Sequence, residues 1–162
     1  MSAREGCLAL IADETILEVK RSVDITEIVS NLPYADWQRM LLAILAAPQE
    51  LGSCTLMIQA DVFDRMRAAP GTKEYGPMSA LLQSTCGLRK LRRAGMELFL
   101  PAPKVESTVF QLLRPAPVHD AVALEARLRE LFAHRRKKSP VAGGRRVEQV
   151  PPRELLALAR GL

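Results

Sequence analysis

The chain has 162 residues, of which 48% are hydrophobic, 25% are charged and only 4% are aromatic. This composition is typical of one globular domain, or of one domain with a small appendage, and it excludes an intrinsically disordered chain. A net charge of +5 and a pI near 9.4 favour a polyanionic partner without identifying one.

Cysteine use and hydrophobicity exclude further classes. Cys7, Cys54 and Cys86 are odd in number and show no CxxC spacing, so we expect neither a disulfide framework nor a zinc site. No stretch approaches the roughly 20 apolar residues of a membrane span. The first residues are too acidic, and their apolar run too short, for a signal peptide. We therefore expect a soluble protein of the reducing cytoplasm, without a metal or a membrane partner.

Taken in order, the first half of the chain alternates strands and helices, as a mostly parallel sheet requires. Short apolar runs predict strands at residues 8–11, 27–30 and 54–58. Helical spacing of apolar residues predicts helices at 37–45 and 60–68, and Asp36 is expected to cap the first of these with its side chain.

The second half contains two more predicted strands, at residues 88–92 and 105–113, and more helix. Helices are expected at 78–84 and 121–134, and a last one is expected to start at Pro151-Pro152. Basic residues form two clusters in this half. Their members are Arg89, Lys90, Arg92 and Arg93, and then Arg135, Arg136, Lys137, Lys138, Arg145 and Arg146.

The segment Asn31-Leu32-Pro33-Tyr34 follows the second predicted strand and combines an amide, a rigid turn and an aromatic ring. Pro33 fixes its own φ and has no N–H, so the chain must leave the sheet there. The Asn31 amide oxygen and a carbonyl of Leu32 or Pro33 could accept the two N–H bonds of an aryl amine such as N6 of adenine, while Tyr34 stacks on the base. An ordinary turn in which Asn31 bonds its own backbone remains the alternative.

The same tetrapeptide resembles the catalytic motif of the ribosomal-RNA adenine dimethyltransferase family, and three further blocks resemble the family in the same order. The first runs from Met57-Ile58-Gln59 to the loop at residues 70–79. The second is Phe99-Leu100-Pro101-Ala102-Pro103-Lys104-Val105-Glu106-Ser107. The third is the basic helix end at residues 131–138. Together the blocks cover about four fifths of the chain.

The resemblance implies an S-adenosylmethionine-dependent enzyme that methylates adenines in a hairpin of small-subunit rRNA, free or in a pre-ribosomal particle. It implies a catalytic set in which acceptors orient the amine and two rings stack the base: Asn31, Leu32, Pro33, Tyr34 and Phe99. Asp13 and Asn31 are implied to contact the donor. The implied RNA contacts are Lys73, Tyr75, Lys104, Arg135, Arg136, Lys137 and Lys138. Two alternatives stay open here, because Phe99 could be a core residue and the loop at residues 72–77 could be a plain surface loop.

The glycine-rich turn that seats the donor in this family has no counterpart, since the close glycine pair Gly143-Gly144 lies far downstream. We therefore expect an α/β fold, a truncated Rossmann-like class I methyltransferase sheet with a small C-terminal helical domain. The expected domains are residues 1–114 and 118–162, joined by a linker at 115–117. A non-catalytic RNA-binding or ribosome-assembly remnant of the family is the alternative function, and a gene fragment without a role of its own is a third possibility. The oligomeric state is not predicted.

Overall fold

The computed structural model describes residues 7–10, 25–33, 35–47, 51, 53–114 and 116–161. Among these residues, five strands form one sheet in the order β1-β2-β3-β5-β4. The strands are β1 (Cys7–Leu10), β2 (Ile25–Asn31), β3 (Ser53–Gln59), β4 (Gly87–Ala94) and β5 (Ser107–Leu113). All five strands expected from the sequence are present.

The sheet is mixed. Strands β1, β2 and β3 are parallel, whereas β5 lies antiparallel between β3 and β4. The expectation of a mostly parallel sheet therefore holds for the first three strands only. Strands β4 and β5 can be antiparallel because the residues that join them, 95–106, contain only a short 3-10 helix (Met96–Leu98), whereas a parallel pair needs a long crossover.

Two compact units divide the chain. The first, a sheet unit, comprises residues 1–60 and 87–119, and the second, a helical unit, comprises residues 61–86 and 120–162. This division differs from the expected boundary at 115–117, because residues 61–86 cluster with the C-terminal helices. The boundary at 115–117 between a methyltransferase domain and a C-terminal helical domain stays a prediction.

In the sheet unit, helix α1 (Trp37–Leu45) forms as its apolar spacing predicts, and Leu41, Ile44 and Leu45 are fully buried. Asp36 is the N-cap residue of this helix, as expected, but the expected side-chain hydrogen bond is absent. Its backbone carbonyl accepts the N–H of Met40 at 3.1 Å instead. Burial of the apolar face therefore stabilises this helix without a side-chain cap.

In the helical unit, α2 (Ala60–Met66) continues from β3, and α3 (Pro77–Thr85) contacts both α4 (Ala121–Phe132) and α5 (Pro152–Arg160). Their apolar residues form a core that includes Phe63, Leu81, Leu82, Leu124, Leu128 and Leu155. The helix pairs explain why residues 61–86 group with the end of the chain rather than with the sheet.

A buried arginine closes the end of α1. Arg114 is only 6% exposed, and its guanidinium donates hydrogen bonds to the carbonyls of Leu45, Ala47 and Leu51. Carbonyls at a helix C-terminus have no partner within the helix. Arg114 therefore supplies donors to buried backbone acceptors, of which the Leu45 carbonyl also accepts the N–H of Val118 at 2.8 Å.

We expect Arg114→Met to lower the free energy of unfolding by about 3 kcal/mol, because charged hydrogen bonds are lost and buried carbonyls lose their donor. Urea unfolding followed by fluorescence of Trp37, the one tryptophan of the sequence, measures the loss close to α1. Arg114→Lys keeps the charge but not the planar fork, and an intermediate loss is expected for it. Equal stability of Arg114→Met and the unmodified chain would contradict this role.

Candidate functional site

Four strand ends meet at one edge of the sheet unit. Asn31 ends β2 and Gln59 ends β3, so both lie at the carboxyl edge of the parallel strands. Gln59 pairs with Ser107, the first residue of β5, and Ser107 pairs with Ala94, the last residue of β4. In open α/β sheets this carboxyl edge is where ligands bind.

The exit from β2 follows the local physics expected from the sequence. The Leu32 N–H donates to the carbonyl of Met57 at 2.9 Å, which extends the pairing with β3 by one step. Pro33 has no N–H to continue it. Ser30 and Leu32 are buried whereas Asn31 is exposed, as alternation along a strand requires. The Asn31 side chain is thus presented to solvent at the carboxyl edge.

The alternative turn, in which the Asn31 amide bonds its own backbone, is not observed among the described residues. No hydrogen bond joins that amide to another described residue. Tyr34 and Asp13 lie outside the described residues, so their expected roles in stacking and in donor contact stay predictions. Of the described members of the expected catalytic set, Asn31 is the exposed residue, whereas Leu32 is buried and Pro33 and Phe99 are half-buried.

Phe99 lies on the segment that follows β4 at the same edge of the sheet unit. It comes directly after the 3-10 helix and donates its N–H to the carbonyl of Met96 at 3.3 Å. The peptide bond one residue further along, Leu100-Pro101, is cis. Phe99 is half-buried, so it is not a fully enclosed core residue. Its stacking against a base stays a prediction.

Tyr75 is a core residue of the helical unit and not an RNA contact. Its side chain is fully buried, its hydroxyl donates to the carbonyl of Val150 at 3.1 Å, and its ring meets the edge of Phe132 with centroids 5.6 Å apart. Burial raises the pKa of the phenol. The expectation that Tyr75 touches RNA is therefore corrected.

Arg135 anchors the loop that carries Lys73. Its Nε lies 2.9 Å from a Glu148 carboxylate oxygen, and its two terminal nitrogens donate to the carbonyls of Thr72, Lys73 and Tyr75 at 3.3, 2.8 and 3.0 Å. The loop is also tied by a bond from the Gly71 N–H to the carbonyl of Glu148. Because its donors already have partners, Arg135 has a structural role that sequence reasoning missed, and no local pattern in the sequence indicates it.

The other expected RNA contacts are exposed. Lys73 and Lys104 lie on loops, and Arg136, Lys137 and Lys138 follow α4. Lys138 and Arg146 face each other in an isolated antiparallel bridge. Exposure allows contact with RNA but does not demonstrate it, so these five roles stay predictions.

Sequence reasoning also gave no role to Gln59, although it is a half-buried polar residue at the end of a buried strand. A polar side chain directly after an apolar run was the signal available for it. Within the described ranges, no group of three or more His, Cys, Asp or Glu side chains is arranged to hold a metal ion. In the same ranges, no helix has the length and apolar character needed to cross a bilayer.

Comparison with known proteins identifies the fold and the family. The crystal structure of a dimethyladenosine transferase from Plasmodium falciparum matches with a TM-score of 0.62 at 22% identity, over 70% of this chain and 42% of that one. A family model described as "Ribosomal RNA adenine dimethylase" matches residues 14–139. The fold is thus that of a class I methyltransferase.

Two curated relatives narrow the assignment. A ribosomal RNA small subunit methyltransferase A from Phenylobacterium zucineum is 38% identical over 133 residues, which are 80% of this chain and 45% of that protein. Its counterpart from Chlorobaculum tepidum is 36% identical over 112 residues, which are 68% of this chain and 41% of that protein. The chain belongs to the ribosomal RNA adenine dimethylase family. It spans less than half the length of these curated relatives.

We expect Tyr75→Phe to lower the free energy of unfolding at pH 8 by about 1 kcal/mol, because the hydrogen bond to Val150 is lost. Since the pKa of Tyr75 is raised in the folded chain, the unfolded chain releases this proton first, and stability falls as the pH rises above about 10. The variant should show a shallower fall. Urea unfolding by circular dichroism at pH 8 and 10.5 measures both, and an identical fall in the two proteins would contradict the assignment.

We expect Arg135→Met to loosen the loop at residues 72–75, because three loop carbonyls and Glu148 lose their donor. Cleavage after Lys73 by a lysine-specific protease should become roughly tenfold faster, as a local opening made easier by 1–2 kcal/mol predicts. Arg136→Met is the matched control, since Arg136 is the exposed neighbour. Equal cleavage rates of Arg135→Met and Arg136→Met would contradict the role of Arg135 as the anchor of this loop.

Proposed function

We propose that this chain supplies the adenine-binding side of an rRNA adenine N6-dimethyltransferase, whose methyl donor is S-adenosylmethionine. The observation that carries the proposal is the exposed amide of Asn31 at the carboxyl edge of the sheet, followed by Pro33 at the point where pairing with β3 stops. Family membership supports the same reaction. The substrate is adenine in small-subunit rRNA, free or within a pre-ribosomal particle.

The chemistry gives each residue a task. The lone pair of an adenine N6 amine is delocalised into the ring, so the amine is a weak nucleophile. Acceptors on its two N–H bonds, the Asn31 amide oxygen and a carbonyl of Leu32 or Pro33, favour a pyramidal nitrogen whose lone pair is available. Tyr34 and Phe99 hold the extruded base between two rings.

The described residues of this chain show no complete seat for the donor. No glycine pair of the kind that opens a Rossmann-like donor site occurs before β2, and Asp13 lies outside the described residues. We therefore derive no step through S-adenosylmethionine. What this chain's own residues do is bind the RNA, hold the base and orient its amine.

One observation favours a second candidate, a non-catalytic RNA-binding or ribosome-assembly protein. The target-side motif Asn31-Leu32-Pro33-Tyr34 and the exposed cations after α4 are present, and RNA binding by these residues requires no methyl donor. Both candidates bind RNA through phosphate contacts, with affinity that falls as salt rises. They differ in methyl transfer.

Asn31→Ala tests recognition of the amine without any donor. We expect the unmodified chain to bind an rRNA hairpin with adenosine at the target position about tenfold more tightly than one with purine riboside, which lacks the 6-amino group. That ratio is the worth of about one hydrogen bond. The variant should bind both hairpins equally, and fluorescence anisotropy measures the four dissociation constants.

Gln149→Ala is the matched control, because Gln149 is an exposed amide of the helical unit. It should keep the preference for adenosine. If the unmodified chain shows no preference for adenosine over purine riboside, the proposed recognition of the 6-amino group is rejected. An assay of methyl transfer from labelled S-adenosylmethionine to the RNA then separates the two candidates. Methyl transfer that the Asn31→Ala variant lowers by roughly 100-fold supports the enzyme. RNA binding without methyl transfer supports the non-catalytic protein.

A further inference from the structure

The edge strand β4 carries a cluster of positively charged residues that has no role in the adenine-binding site proposed around Asn31. Among the described residues, β4 is the last strand of the sheet and β5 is its one pairing partner. All of its residues from 89 to 93 are exposed, and four of these five are cations: Arg89, Lys90, Arg92 and Arg93. Both faces of the strand and its outer edge are thus open on the sheet unit.

A β-bulge distributes the four cations over the two faces. Lys90 lies opposite Phe110 and Arg92 opposite Val109, which leaves Leu91 as the extra residue, 47% exposed. Without the bulge, simple alternation would place Lys90 and Arg92 on the same face. The bulge shifts the strand by one position and separates them.

Cross-strand partners show which cations share a face, because directly opposite residues point to the same side of a sheet. Arg89 lies opposite Gln111, two residues from Val109, so Arg89 and Arg92 share one face. By the same reasoning, Lys90 and Arg93, the latter opposite Thr108, share the other face. Each face therefore presents two neighbouring positive charges, which repel each other in the absence of an anion.

Local partners neutralise only part of this charge. Arg93 forms an ion pair with Glu106 at 2.7 Å, and Arg89 donates to the Gln111 side chain. Lys90 and Arg92 have no ion-pair partner among the described residues. Because the Gln111 amide is neutral and leaves the charge of Arg89 in place, at least one cation on each face is available to an anionic ligand.

We propose that β4 is a binding strand for the phosphate backbone of RNA, with Lys90 and Arg92 as its principal contacts. Charge complementarity and position support this occupant. The strand ends at Ala94, on the same edge of the sheet as Asn31, so a nucleic acid held along it lies beside the target-base site. The proposal rests on the proposed function, because it assumes that the partner at that edge is RNA.

Basic residues on an edge strand also have a simpler explanation, since they prevent two sheets from pairing edge to edge. That explanation predicts protection from aggregation and no effect on RNA affinity. The two explanations therefore differ in a measurable way.

The test is the double variant Lys90→Gln with Arg92→Gln, assayed with an rRNA hairpin and with a single-stranded RNA of unrelated sequence. Loss of two phosphate contacts should weaken binding of both RNAs by roughly tenfold or more near 0.1 M salt. It should also reduce the slope of log K against log salt by about 1.4 for the single strand. Phosphate contacts carry no sequence information, so the loss should be similar for both RNAs.

Arg153→Gln with Arg160→Gln is the matched control, because it removes the same two charges from exposed positions of α5. An equal loss of affinity in the control would reduce the effect to net charge and overturn the proposal. Unchanged RNA binding together with faster aggregation would assign β4 to edge protection alone. Unchanged RNA binding with weaker binding to polyglutamate would assign it to an acidic protein partner.

The same titrations separate the two proposals. If the unmodified chain binds neither RNA, the proposed function fails. If it binds both and the β4 variant binds as well as the unmodified chain, only the proposal for β4 fails. Circular dichroism of each variant verifies that the sheet is retained.

Discussion

The candidate site depends on where the pairing between β2 and β3 stops. The Leu32 N–H makes the last hydrogen bond, to the carbonyl of Met57, and the next residue is a proline that has no N–H to offer. The chain must therefore leave the sheet at a defined residue. Because Leu32 is buried as the pairing ends, Asn31 is fixed on the opposite side, with its amide at the carboxyl edge. Backbone bonding and one imino acid thus set the position of the side chain.

Positive charge has two separate uses in this chain. Arg114 and Arg135 each direct a planar guanidinium at several backbone carbonyls, one at the end of α1 and one in the loop after α2. Arginine suits this task because its five donors have a fixed geometry. Such residues add to the net charge but add little to the surface seen by a polyanion. The exposed cations of β4 and of the segment after α4 are the ones that set the external field.

Local patterns were sufficient to predict the five strands and the five α-helices of the described residues, but not the two short 3-10 helices, because apolar spacing records which side of a longer element is buried. The burial of Tyr75 could not be predicted from such local patterns. Its burial depends on Phe132 and Val150, which lie more than 50 residues away in the sequence. The sequence run that begins at Arg135 shows the same limit. Arg135 is held by Glu148 and the loop, whereas its three basic neighbours are exposed, and nothing in the run itself distinguishes them.

The division into compact units was missed for a related reason. The proline-rich segment at 115–117 looks like a boundary, but residues 61–86 lie far upstream of it and still group with the C-terminal helices. Which helices share a core is decided by contacts such as that between α3 and α5, and sequence order does not reveal them. The exit of the chain from β2 at Pro33 was predictable because its cause is local, whereas the roles of Asn31 and Tyr34 stay predictions.

Recognition of a base and attachment to a nucleic-acid backbone are different physical tasks, since base contacts select and phosphate contacts hold. In the sheet unit the residues proposed for these two tasks lie on strands of one hydrogen-bonded sheet. Asn31 ends β2, and the basic strand β4 ends three strands away, which corresponds to about 14 Å at the usual spacing of 4.7–4.9 Å. This distance between Asn31 and the end of β4 cannot change unless hydrogen bonds between the strands break. If the phosphate backbone of an RNA were bound along β4, only nucleotides about that far from the bound phosphates could reach the amide of Asn31. The spacing of the strands would then help to select the adenine, in addition to the acceptors proposed for its 6-amino group.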